Sequence, residues 1–439
     1  MTARMTPQSL QDSRLDYEVA THTLANGLRV VVSSDHNVPT VAVNLWVGVG
    51  SRHEVPGATG LAHLFEHLMF QGSRNVAEGE HFSRLQAAGA RLNATTWFDR
   101  TNYFEVVPTG AMELALWMEA DRHGYLLDAL TQTNLDNQRD VVKEEKRQRY
   151  DNRPYGNALA DIYGAVFPEG HPYHHSTIGS MDDLDAASLQ DVQAFYSAHY
   201  RPSNTVLTLC GDVQPQAGFE AAQKYFGGLP DLERPGLPVS TPLPPLTSPT
   251  TVERVEDVPS DRIYLGFRLP ADRTQGTCSY LAAELALDLL AGMATSRLHR
   301  RVVRREHAAD HVFSNSFGLA GGVSLGLLGA DVAAGHRVEQ VQESIREELV
   351  ALAQTPPTDD EMQVLRAGAT RQVLQAFASI EERADFISQY TLLHDEPGYL
   401  NTHLGELLAI TPEQIQDTAA QFLAPEHAAA VIYRREDAS

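Results

Sequence analysis

Gly60-Leu61-Ala62-His63-Leu64-Phe65-Glu66-His67-Leu68-Met69-Phe70 is the stretch from which the rest of the chain can be read. Its apolar residues, Leu61, Leu64, Phe65, Leu68, Met69 and Phe70, leave no obvious solvent face, so the spacing predicts a short buried helix. His63, Glu66 and His67 stand inside it at i, i+3 and i+4, on one side of the helix. Burying three such groups without partners is costly. A metal ion with a water beside it would use all three. Zinc takes nitrogen and oxygen ligands and, in catalytic sites, keeps one position open. Two histidines four apart aim both rings at one point, and Glu66 then sits where it can take a proton from zinc-bound water and return it to a leaving amine. The bland alternative is a pair of packed or half-exposed helix histidines. A helix with no other polar face speaks against it.

A third protein ligand is needed. The charged stretch from Asn134 to Tyr150 reads as one long helix, and Gln138, Val141, Val142 and Glu145 fall on one stripe of it. The branched residues turn that stripe inward. Glu145 lies on it and Glu144 does not, so Glu145 is the expected ligand. Otherwise both are solvated carboxylates of a charged run.

The remaining chain is an α+β pattern with an internal echo. Strands are expected at 17–24, 27–34 and 40–49 before the His helix, and a hairpin at 91–97 and 102–107 after it. Asp191-Val192-Gln193 leads through a helix to Pro202 and the strand Val206 to Leu209. Gln414-Ile415-Gln416 leads through a helix to Pro425 and the strand Ala428 to Tyr433. Such a repeat reads as a duplicated α/β unit. The second copy has no His-x-x-Glu-His, so only one copy can hold the metal. The expected layout is an arm at 1–16, a metal-binding domain at 17–228, a proline-rich linker at 229–250, and a homologous domain without metal at 251–439. Seven prolines between 229 and 250 forbid helix or central strand there.

Composition narrows the class. The 439 residues are 43% hydrophobic and 21% charged, as in an ordinary globular protein of more than one domain. A net charge of −23 argues against nucleic-acid binding. Two cysteines make no disulfide framework. No apolar run is long enough to span a bilayer, and no leader is visible, so a cytoplasmic enzyme is the expectation.

On these residues the chain resembles the pitrilysin-type zinc peptidases, which include insulin-degrading enzyme and the mitochondrial processing peptidases. Gly50 to Glu54, His63 to His67, Leu92-Asn93-Ala94-Thr95-Thr96, Asp140 to Asn152, His171-Pro172-Tyr173 and Ser296-Arg297-Leu298 carry the likeness. The resemblance implies two homologous α/β-sandwich domains enclosing a chamber. It implies one Zn2+ per chain on His63, His67 and a glutamate, with Glu66 as base. Counting along the chain favours position 144 in some relatives; the local pattern Arg-Asp-Val-Val-x-x-Glu favours Glu145. Where many relatives have a further glutamate, this chain has Gln138, a neutral neighbour to the site. The resemblance also implies that the strand at Asn93, Ala94 and Thr95 pairs with the substrate backbone. A plain turn-side hydrogen bond is the alternative for Asn93.

One departure concerns the second half. Active relatives hold the substrate carbonyl with an Arg and a Tyr about two turns apart. Here Arg304 fits the first and Asp310 stands at the second. The expected function is therefore a zinc endopeptidase of peptides or unfolded segments. The expected partner is a homologous chain lacking the zinc motif and supplying the Arg/Tyr pair, or a second copy. The alternatives are a non-catalytic or only partly competent subunit of a heteromeric peptidase, and a zinc hydrolase of a non-peptide amide.

Overall fold

The computed structural model describes residues 14–230, 240–274 and 276–436. Residues 1–13 of the expected arm and 231–239 of the expected linker lie outside the described residues, and 240–249 form neither helix nor strand. In chain order the first half carries β1 (Ala20–Thr23), β2 (Arg29–Ser34), β3 (Thr40–Val47), α1 (Leu61–Leu68), α2 (Glu80–Ala87), β4 (Arg91–Thr96), β5 (Thr101–Pro108), α3 (Met112–Tyr125), α4 (Gln132–Lys146), α5 (Ala158–Val166), α6 (Met181–Ala186), α7 (Leu189–His199), β6 (Thr205–Gly211) and α8 (Pro215–Phe226). The second half carries β7 (Thr250–Glu256), β8 (Arg262–Leu269), α9 (Tyr280–Leu287), β9 (Ala309–Phe317), β10 (Ser324–Val332), α10 (Val338–Gln354), α11 (Asp359–Ala378), α12 (Ile380–His394), α13 (His403–Ala409), α14 (Pro412–Phe422) and β11 (Ala429–Arg435).

The strands form two sheets, ordered β1-β2-β6-β3-β5-β4 and β7-β11-β8-β10-β9. In the first, β2 runs parallel to β6, and β6, β3, β5 and β4 follow antiparallel. In the second, β7 runs parallel to β11, and β11, β8, β10 and β9 follow antiparallel. Strand for strand the two agree, with β1 added to the first. The sequence echo has the same basis. Ser188 and Thr411 each open a helix with a reciprocal capping box, and each helix leads to a short 3-10 turn, at Pro202 and at Pro425, before the matching strand β6 or β11. The duplicated α/β unit is thus present in the topology.

Two compact units result, and each draws on both sequence halves. Residues 14–144, 177–230 and 371–405 make one, and the other described residues make the second. In the first, Val41, Val43 and Leu45 of β3 face a core shared with Leu116 and Met118 of α3 and with Ala222 and Phe226 of α8. The opposite face of β3, with Ala42, Asn44 and Trp46, is also buried, because α12 lies over it with Ala384 and Ile380. In the second unit α5 covers the sheet in the same way. Gly266 on β8 admits it: a Cβ there would stand 2.6 Å from Val166 and 3.1 Å from Ile162. Asp161 fixes the helix through Arg254 at 2.6 Å and Tyr433 at 2.9 Å. The segment 154–179, with prolines at 154, 168 and 172, thus contains a helix between them.

The short helix α1 cannot cap itself, since Gly60 at its N-terminus has no side chain. Glu54, from the loop after β3, takes that role. Its carboxylate accepts from the Gly60 and Ala62 amides at 2.9 and 2.8 Å, and its charge opposes the helix dipole favourably. Gly60 itself is required: φ is +87°, and a Cβ would stand 2.6 Å from the Ile178 carbonyl. In the second copy, the helix between β8 and β9 is α9. It carries Glu284, and Asp288 follows one turn on; burial and the neighbouring Asp288 and Asp272 push Glu284 up to about 7.

Two outcomes test this description. Glu54→Ala removes both bonds to the α1 amides and lowers unfolding free energy by about 2 kcal/mol in urea titration. An unchanged midpoint would mean that α1 does not depend on this cap. Glu284 keeps its proton in the folded state up to about 7, against a reference value of 4.5, so stability falls as pH rises through that window. Glu284→Gln therefore raises Tm by about 3 °C at pH 8 and little at pH 4.5. Equal shifts at the two pH values would contradict the raised value of Glu284.

Candidate metal centre

On α1 the residues Leu61, Ala62, Leu64, Phe65 and Leu68 are buried, while His63, Glu66 and His67 are half-buried on the remaining face. Phe65 anchors the buried side, with its ring centroid 5.7 Å from Phe195, 5.8 Å from Tyr196 and 4.5 Å from Tyr200. The histidine rings stand 4.8 Å apart, inclined at 70°. One ligand atom each of His63, His67 and Glu145 lies within 4.8 Å of the other two. Among the described residues no other group of three His, Cys, Asp or Glu gathers in this way.

Glu145 comes from the last turn of α4. The cut between the compact units falls inside that turn, and the helix is fixed to the first unit up to that point. Arg139 donates to the Leu184 and Ala187 carbonyls at 2.8 and 2.7 Å, and Lys143 meets Asp185 at 2.7 Å. The buried line of α4 differs from the stripe expected from sequence. Val141 is 47% exposed, and the inward line is Leu135, Gln138, Val142 and Glu145. Sequence periodicity placed Val141 inward because it is branched; position on the helix decides otherwise. Glu145 is on the inward line and Glu144 is exposed. Arg149, itself exposed, pairs with Glu145 at 2.7 Å. Gln138 is half-buried two turns before Glu145.

Two imidazoles and one carboxylate, partly buried and gathered on one side of α1, are the donor set that a catalytic zinc ion takes. The residues present therefore fit such an ion. Next to them, Glu66 accepts a hydrogen bond from Thr96 Oγ1 at 2.5 Å. Thr96 ends β4, the edge strand of the first sheet, so the edge lies against the α1 face that carries Glu66. Side chains alternate along that strand. Thr96 and Ala94 face α1 and the core, with Ala94 opposite Tyr103; Asn93 is exposed, and Thr95 faces the other way, toward Asn102. The Trp97 amide donates to the Arg100 carbonyl at 2.9 Å. By the alternation of an antiparallel ladder, the amides and carbonyls of Asn93 and Thr95 then turn toward β5, and those of Leu92, Ala94 and Thr96 turn off the edge. The hairpin turn is tied to the loop leading into α1: Ser51 and Arg52 amides donate to the Trp97 and Phe98 carbonyls at 3.1 and 3.0 Å, and Arg52 pairs with Asp99 at 2.8 Å in near-complete burial.

Glu54, Thr96 and Arg52 had no role assigned from sequence. All three act across loops, where no periodicity marks them. In the second unit Arg304 and Asp310 are both exposed, Asp310 near the start of the edge strand β9.

No described helix is long and apolar enough to cross a membrane. The family model described as Insulinase (Peptidase family M16) matches residues 29–173, and that described as Peptidase M16 inactive domain matches residues 186–368. The zinc protease PqqE of Helicobacter pylori is 29% identical over 416 residues, 92% of each chain. YmxG of Bacillus subtilis, named as an uncharacterized zinc protease, is 22% identical over 94% of this chain and 97% of its own. The crystal structure of a protease from Helicobacter pylori superposes with a TM-score of 0.88 at 27% identity, covering 95% of this chain and all of that one. The structure of a peptidase M16 inactive domain from Pseudomonas fluorescens gives 0.84 at 18% identity, over 96% and 99%, a likeness of fold alone. Taken together, the two models span most of the sequence, and the chain belongs to the M16 peptidase family.

Proposed function

We propose that this chain is a zinc-dependent endopeptidase of peptides and unfolded polypeptide segments, with one Zn2+ held by His63, His67 and Glu145. The observation that carries the reading is the meeting of three things on one face of α1: the donor set, Glu66, and an edge strand bonded to Glu66 through Thr96. Residues 17–228 and 251–439 are, on this reading, the two copies of the duplicated unit, joined by 229–250, with α5 and α12 exchanged between their sheets.

Bound zinc supplies a Lewis acid that polarises a carbonyl and lowers the pKa of water toward 7. The chain's own residues do the rest. An extended peptide adds to β4 through the main-chain groups of Leu92, Ala94 and Thr96, with Asn93, Ala94 and Thr95 as the strand it meets, so recognition is mostly of backbone. Thr96 holds Glu66 in place at the end of that strand. Glu66 takes the proton from the attacking water and returns it to the departing amine. A folded substrate offers no free extended segment to pair with the edge, which restricts substrates to flexible ones.

A second reading has a specific observation behind it. Asp310 stands on β9 where the family resemblance places a tyrosine, so on this second reading a homologous partner that supplies the Arg/Tyr pair, or a second copy, completes the site.

Purified protein is expected to contain one zinc per chain and to cleave unstructured peptides. A chelator abolishes cleavage, and added zinc restores it. Glu66→Gln keeps the zinc and loses activity by about 10³-fold. Zinc-free wild-type protein, or full activity in Glu66→Gln, would overturn the reading. Cleavage that appears only when a homologous chain is added would favour the partnered form.

A further inference from the structure

We propose that Asp385 is a positioning residue for the edge strand β4 and, through it, for Glu66. This rests on the peptidase reading above. Asp385 lies on α12, which crosses the outer face of the first sheet. Its Oδ1 accepts from three donors: Trp46 Nε1 at 2.8 Å, Asn102 Nδ2 at 3.0 Å and Asn44 Nδ2 at 3.2 Å. Two of these come from β3 and one from β5. The carboxylate therefore fixes the orientation of the Asn102 amide, whose Oδ1 is left to face β4.

That oxygen accepts from Thr95 Oγ1 at 2.5 Å and from Arg100 Nη1 at 3.1 Å. Arg100 also donates to the Thr95 carbonyl at 2.8 Å and bonds its hydroxyl. The guanidinium lies 4.9 Å from the Trp46 ring centroid. Burial pulls the Arg100 pKa down, and the charges of Asp385, Glu66 and Asp99 act against that pull. Thr95 is thus held from two sides, on the face of β4 away from α1. The next residue, Thr96, points the other way and bonds Glu66.

An edge strand has a ladder on one side only, so its outer residues are the least constrained of the sheet. Here the missing constraint is supplied from the far side, by side chains that end on Asp385. Releasing Asp385 frees the Asn102 amide to turn, loosens Thr95, and shifts Thr96 against Glu66. Misplacement of reacting groups by even a small distance is costly in rate. Asp385 bonds Trp46, Asn44 and Asn102 and neither Glu66 nor the donor set, so its effect is on placement alone.

The test uses the full chain with a quenched-fluorescent, unstructured peptide. Asp385→Ala is expected to raise KM about tenfold and to lower kcat as well, with zinc content unchanged, and to speed hydrogen exchange at the Asn93 and Thr95 amides. Asp385→Asn keeps an acceptor oxygen and is expected to stay within about threefold of wild type. Thr95→Val deletes the other end of the link and is expected to match Asp385→Ala; combined with it, the loss is no greater than that of the worse single variant. Wild-type KM and exchange in Asp385→Ala would overturn the proposal, as would additive losses in the double variant. If Asp385→Ala does not fold, Thr95→Val with wild-type KM overturns it equally. A wild-type protein without cleavage defeats the peptidase reading instead, and the exchange rates at β4 still decide the role of Asp385.

Discussion

Three ionisable side chains on an otherwise apolar two-turn helix are the constraint on which this structure turns. Such a helix is stable only if its polar groups have partners and its ends are satisfied. The fold meets both conditions from outside the helix. Glu54 caps the N-terminus, Phe65 is clamped by aromatic residues of the α7 region, and Thr96 reaches Glu66 from the sheet edge. What is left open is a single half-buried face with two imidazoles and the Glu66 carboxylate, and α4 brings Glu145 to it.

The duplication explains why the site is one-sided. Both sheets have the same strand order and the same parallel pair, so both copies offer a helix at the corresponding place. In the first copy that helix bears the two histidines of the candidate metal site; in the second, Tyr280–Leu287, it bears no histidine. Each copy also lends a helix to the other's sheet, α12 to the first and α5 to the second. The exchange places Asp385, from the second sequence half, behind the edge strand of the first.

Much of this was legible in the sequence, because local periodicity and spacing carry it. His63, Glu66 and His67 share a face by helical geometry alone, and the strands around them alternate. The echo at Pro202 and Pro425 marks turns that the structure places before matching strands. Other features had no local signal. Val141 looks inward by residue type and is exposed, since only the tertiary surroundings of α4 decide its side. The helix at 158–166 is hidden between prolines that break the chain only at its ends. Glu54, Asn102 and Asp385 act on groups that are far away in sequence or lie across a turn. A polar residue of that kind looks like any solvated side chain until the packing is known.

The central claim is the ligand set, and zinc binding by Glu145→Gln set beside Glu144→Gln tests it most directly. The zinc K-edge absorption spectrum of the wild type should show two imidazole nitrogens and light-atom oxygen donors, with one zinc per chain. Glu145→Gln is expected to lose the metal on dialysis and Glu144→Gln to keep it. Zinc retained in full by Glu145→Gln, or lost from Glu144→Gln alone, would contradict this ligand set.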